Sequence, residues 1–181
     1  MQALRPSLRL DPACAGALVC AAAALTLAGA WIFEAMGYAP CELCLKQRIP
    51  YYVGVPLAGA AFGLARSGFP RSARWLLAAL AALFAAGALF GAYHAGVEWG
   101  FWAGPADCTG KLDGAGSVED FLTQLRSVKV VRCDAPALHV LGLSLAVWNA
   151  AISAALAFIA GLGATRAQAA PQGGAEPGRA P

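Results

Sequence analysis

Four stretches of this chain, 13–33, 49–65, 75–97 and 137–162, contain no Asp, Glu, Lys or Arg. Each matches or approaches the roughly 17 to 25 apolar residues needed to cross a bilayer. Lipid offers no water to backbone N–H and C=O groups, so runs of this length are predicted to be helices. Four helices on short connections predict an all-α membrane protein, a four-transmembrane-helix antiparallel bundle forming one domain. Composition agrees, at 59% hydrophobic and 13% charged residues, against about twice that charged share in a soluble domain. The predicted layout is an N-terminal segment 1–12, a membrane domain 13–163 and a tail 164–181. The tail is rich in Ala, Gly, Pro and Gln and has too little apolar surface to fold, so it is predicted to be disordered.

Basic residues set the orientation. Arg5 and Arg9 precede the first stretch, Arg66, Arg71 and Arg74 fill the second connection, and Arg166 follows the fourth. Up to Glu176 the only acid in these segments is Asp11, whereas the first and third connections mix both signs. The positive-inside rule places both termini in the cytoplasm and the first and third connections on the far side. Arg5, Arg9 and Ala28-Gly29-Ala30 also suit a cleaved signal peptide. An apolar run of about 20 residues exceeds the usual 7 to 15 of such a peptide, which favours a retained helix. Glycine-rich phosphate loops and basic patches interleaved with aromatics are missing from the sequence, so it supports no nucleotide or nucleic-acid partner. The partner it does call for is a lipid bilayer.

The six cysteines sort by depth. Cys14 and Cys20 fall inside the first stretch on different helix faces and are read as small hydrophobes. Cys41, Cys44, Cys108 and Cys133 fall in the two far-side connections, where an even number of cysteines implies disulfides. Cys41 and Cys44 lie in the segment PCELCLKQR. A Cys-x-x-Cys at a helix start gains thiolate character from free N–H groups and the helix dipole, and Cys44 is predicted to occupy that start. Arg48, four residues on, shares the helix face of Cys44 and carries a permanent positive charge. Snorkelling to headgroups is its ordinary alternative. Glu42 and Lys46 read as solvated flanking charges. Pro50 is expected within the first turn or two, and Tyr51, Tyr52, Trp99, Phe101 and Trp102 in an interfacial aromatic belt.

The third connection, about Glu98 to Pro136, is long for a bundle. Ser117 precedes Glu119 and Asp120 as a helix N-cap would, and Val118, Phe121, Leu122 and Leu125 repeat at helical spacing. This predicts a short amphipathic helix lying in the membrane interface. Cys108 and Cys133 flank it. A disulfide between them would close a loop over the helix, and opening it would free an arm with two thiols.

PCELCLKQRIPYY after a first membrane helix, YHAGVEWGFWAGP closing the third, and a following Cys108 and Cys133 together resemble the DsbB-type disulfide bond formation proteins of bacterial inner membranes. The resemblance covers about residues 13–163. It implies a four-helix bundle whose redox-active disulfides are Cys41–Cys44 and Cys108–Cys133. Such a protein reoxidises a periplasmic DsbA-like thiol oxidase of thioredoxin fold and passes two electrons to ubiquinone or menaquinone. By position, Cys108 resembles the cysteine attacked by the reduced partner, and Cys133 the one that next engages Cys41. Cys44 resembles the thiolate that contacts the quinone, Arg48 the arginine that supports it, and His94 a position near the quinone. Gln47 also recurs in some members. Thiols alone cannot discard electrons from a protein, so a lipid-soluble acceptor accounts for thiols at a membrane edge.

Two rival classes fit less well. Structural zinc sites usually pair two cysteine knuckles, a form the Cys108 to Cys133 gap lacks, so no metal is expected. The vitamin K epoxide reductase family places its loop pair before the redox motif, the reverse of the order here.

Overall fold

Helix starts and stops follow from a few local residues. A computed structural model describes residues 10–105, 108, 117–119 and 131–166. Its principal elements are α1 (Pro12–Ala35), α2 (Glu42–Arg66), α3 (Pro70–Glu98), a two-stranded hairpin β1 (His139–Val140) and β2 (Leu143–Ser144), and α4 (Leu145–Arg166). Asp11 caps α1 by accepting from Ala13 N–H at 3.0 Å, and Pro12 takes the first helical position, where its missing N–H costs nothing. α1 and α3 stop at Gly37 (φ 96°) and Gly100 (φ 75°). These left-handed glycines let Tyr38 N–H reach Phe33 C=O and Phe101 N–H reach Gly96 C=O, which satisfies orphan carbonyls. Both turns lead into the segments that carry the loop cysteines.

Around the bundle, α1 packs on α2, α2 on α3, α3 on α4 and α4 back on α1, with little contact between α1 and α3. Val19, Leu77, Leu80, Phe84 and Leu156 fill the centre. Small residues set the close approaches, as expected where lipid removes the hydrophobic drive between helices. A Cβ on Gly91 of α3 would lie 2.9 Å from the Ala150 nitrogen of α4. Three helices, α1, α3 and α4, are long and apolar enough to cross a membrane. α2 is of similar length but contains Glu42, Lys46, Arg48, Arg66 and two prolines, and it is not among these three.

Several expectations are corrected. The fourth stretch does not begin as helix at 137, because a tight turn at Leu141 (φ 52°) and Gly142 (φ 81°) pairs Val140 with Leu143. Two successive positive φ values match the twist of a hairpin and forbid a helix, so α4 starts at Leu145 and the fold is mostly helical rather than all-α. α2 begins at Glu42, well ahead of 49, and both Pro50 and Pro56 lie inside it. Tyr51 is buried, at 2% exposure, rather than in an aromatic belt, whereas Tyr52, Trp99, Phe101 and Trp102 are exposed. Of the predicted interfacial helix only 117–119 is described, with Val118 and Glu119 helical. Its remainder, the first nine residues and the tail from 167 lie outside the described residues.

Candidate active site

Because α2 begins at Glu42, Cys41 is its N-cap, and its sulfur accepts the Cys44 N–H at 3.1 Å. Cys41 is buried, and His94 Nε2 lies 3.7 Å from its Sγ. Hydrogen bonding from the Cys44 side chain, together with that from His94 and the Cys44 N–H, outweighs burial and holds the Cys41 thiol down to about 5. The same bond to Cys41, reinforced by burial, pushes the Cys44 thiol up. An orphan N–H of the first turn of α2 thus serves Cys41, the residue just outside the helix.

His94 stands between the two cysteine pairs. Its Nε2 is 3.3 Å from the Cys133 carbonyl oxygen, and its Nδ1 is 2.6 Å from Gln47 Nε2. A carbonyl only accepts, so Nε2 carries the proton and the Gln47 amide donates to Nδ1. Glu98, one turn along α3, places Oε1 3.9 Å from His94 Nε2 and accepts from the Ser144 hydroxyl at the foot of α4.

Cys108 and Cys133 form a disulfide, whereas Cys41 and Cys44 are free thiols. Cys41, Cys108 and Cys133 pack in one cluster with Leu43 and Val97. A cleft of about 360 Å³ bordered by Gly104, Pro105 and Asp134 reaches both disulfide-bonded residues. A much smaller chamber of about 30 Å³ adjoins Cys41, Cys44, His94, Glu98 and Cys133.

On the other side of Cys44 is a mostly apolar cavity of about 120 Å³. Cys44, Gln47, Arg48 and Tyr51 line it, a stripe spaced as one face of a helix requires. Thr26 and Phe33 of α1 and Asn149 of α4 complete the wall. Arg48 Nη1 donates to Glu34 Oε2 at 2.6 Å and its side chain is 13% exposed. A second cavity of about 280 Å³, between α1 and α4, shares Thr26, Ala30, Phe33, Leu145 and Asn149 with the first. His94 borders the thiol chamber together with Cys44, and Cys44 and Arg48 border the first apolar cavity.

Sequence reading did not find Glu34, Glu98, Ser144 or Asn149 as parts of this region. Asn149 carried a signal, being the chain's one asparagine and lying within an apolar run, where polar side chains mark function.

A helical membrane bundle with a Cys-x-x-Cys on a helix N-terminus and a disulfide packed beside it has the parts of a membrane thiol–disulfide oxidoreductase. The chain belongs to the DsbB family: the family model for disulfide bond formation protein DsbB matches residues 12–163. No curated protein and no solved structure matches the chain. Its membership assigns it to disulfide bond formation in the membrane.

Proposed function

We propose that the protein is a thiol:quinone oxidoreductase of a bacterial inner membrane, with four spans, both termini cytoplasmic and the cysteine loops periplasmic. It reoxidises a DsbA-like dithiol oxidase and delivers the electrons to ubiquinone or menaquinone. The observation that carries this reading is the position of Cys44, which lines both the thiol chamber with Cys41 and Cys133 and the apolar cavity with Arg48. The cavity suits a quinone: its walls are mostly apolar, Arg48 supplies a fixed cation, and Asn149 Nδ2 is a buried donor with no partner among the described residues.

A partner thiolate entering the open cleft attacks Cys108, breaking the Cys108–Cys133 bond and releasing Cys133 as thiolate; the partner's second thiol then completes its own disulfide and frees Cys108. Cys133 attacks Cys41 of an oxidised Cys41–Cys44 pair, and Cys44 leaves. Cys108 next attacks Cys133, restoring their disulfide and expelling Cys41. Exchange is faster when the leaving thiol has a low pKa, and Cys41, held near 5, is suited to leave. His94 donates to that sulfur. The products are a Cys108–Cys133 disulfide and a Cys41/Cys44 dithiol, the combination present in this structure. The Cys41 thiolate and the Cys44 thiol then close to a disulfide, giving up two electrons and one proton, and a quinone accepts these together with one proton from solvent in becoming a quinol.

Purified protein supplied with a reduced thioredoxin-fold oxidase should reduce quinone with one partner disulfide formed per quinol. No quinone reduction with an active partner would refute the reading. Metal binding is the second reading, because donor atoms of Cys41, Cys44 and His94 lie within 4.8 Å of one another. The proton on His94 Nε2 opposes it, since a ligating nitrogen must offer a lone pair. Stoichiometric metal in the purified reduced protein would favour it.

A further inference from the structure

We infer that Asn149 is a quinone-binding residue, its Nδ2 donating to one carbonyl oxygen of the ring while Arg48 serves the other side of the site; this rests on the proposed quinone-reducing function. Tyr51 OH donates to Asn149 Oδ1 at 2.8 Å and also meets Ser153 Oγ at 2.9 Å. That bond fixes the amide and commits its oxygen. Asn149 Nδ2 is buried and, among the described residues, is the one buried side-chain nitrogen or oxygen without a partner. An unsatisfied donor between apolar helices is destabilising, and lipid-level polar groups are retained where they serve a ligand or pathway.

Position names the ligand class. Asn149 borders both the cavity that holds Cys44 and Arg48 and the adjoining apolar cavity between α1 and α4. A ligand occupying both has a compact head with hydrogen-bond acceptors and an apolar tail. An oxidised quinone head carries two carbonyl acceptors and no donor, so it can use both an arginine on α2 and an amide N–H on α4. The second cavity, with Ala30, Val140, Trp148 and Ile152 in its wall, would take the first part of an isoprenoid tail.

The test measures binding of a short-tailed ubiquinone, ¹³C-labelled at one carbonyl carbon or the other, to the full chain in detergent. Tryptophan quenching gives affinity and difference infrared spectra give each carbonyl stretch. Losing one neutral hydrogen bond should weaken binding about threefold to tenfold, so Asn149→Leu should do so and raise the stretch of one labelled carbonyl. Asn149→Gln should recover part of both. Ser153→Ala, which breaks the Tyr51–Ser153 bond at the same helix seam but keeps the Tyr51–Asn149 bond and the amide, separates ligation from helix packing. It should retain the low carbonyl frequency. Equal changes in Asn149→Leu and Ser153→Ala, or no carbonyl shift in Asn149→Leu, would overturn the assignment. If Asn149→Leu fails to fold, Asn149→Ala is measured in its place and read by the same two outcomes. Failure of the wild-type protein to bind quinone at all would instead refute the function beneath it.

Discussion

Cys41 owes its acidity to its place one residue ahead of α2, where it collects the Cys44 hydrogen bonds and the His94 N–H. With its pKa lowered to about 5, Cys41 is a thiolate above that pH and loses reactivity as pH falls through it. Iodoacetamide alkylation of reduced protein, mapped by peptide mass spectrometry, should therefore show a Cys41 midpoint near 5. His94→Leu removes one stabilising contact and should raise that midpoint by about one unit, equivalent to about 1.4 kcal/mol. A second residue-scale expectation concerns Arg48. A headgroup anchor needs only a cation, so Arg48→Lys would then be nearly silent. A guanidinium that serves a quinone through directed donors is not replaced by a compact ammonium, and loss of one charged hydrogen bond costs about 1.5 to 3 kcal/mol. Arg48→Lys should raise the quinone KM roughly tenfold to a hundredfold, while single-turnover oxidation of the partner stays near wild type. The thiols and the arginine one turn beyond them were legible in the sequence because their spacing is local. Which thiol holds the charge was not, since it depends on where α2 begins.

At the level of elements, the closest approach of α3 to α4 depends on the missing side chain at Gly91, where any Cβ would meet Ala150 N and Cα at 2.9 and 3.0 Å. Backbone cannot swing aside as a side chain can, and overpacking of this kind costs typically about 1 to 3 kcal/mol. Gly91→Val should lower the thermal midpoint in detergent, and the loss should exceed that of Gly29→Val, where a Cβ meets nothing within 4 Å. Equal midpoints would mean that α3 and α4 do not approach this closely. Hydropathy located α1 and α3 well, since both cover their charge-free runs with a few residues to spare. It could not show the hairpin ahead of α4: residues 137–144 are as uncharged as the helix after them, and the reversal rests on backbone angles at Leu141 and Gly142. Nor could it show Tyr51 turned inward, because an aromatic near a helix end satisfies an interfacial belt and a buried hydroxyl network equally well.

Over the whole molecule, the proposed topology and the order of electron flow are separable claims. With the cysteine loops periplasmic, a membrane-impermeant maleimide added to intact spheroplasts after mild reduction should label Cys41, Cys44, Cys108 and Cys133. Labelling only after permeabilisation would reverse the orientation. The proposed orientation rests on the distribution of Arg5, Arg9, Arg66, Arg71, Arg74 and Arg166 in the sequence, whereas Asn149 and Glu98 join the site only through contacts between helices far apart in sequence. The proposed electron flow depends on Cys44, placed between the sulfur chamber and the apolar cavity. The most direct test is a single turnover without quinone: fully oxidised protein is mixed with one equivalent of reduced partner, quenched in acid, alkylated and mapped for the state of each cysteine. The expected two-electron product has Cys108–Cys133 as a disulfide and Cys41 and Cys44 alkylated. Accumulation of alkylated Cys108 and Cys133 with Cys41–Cys44 still oxidised would contradict it.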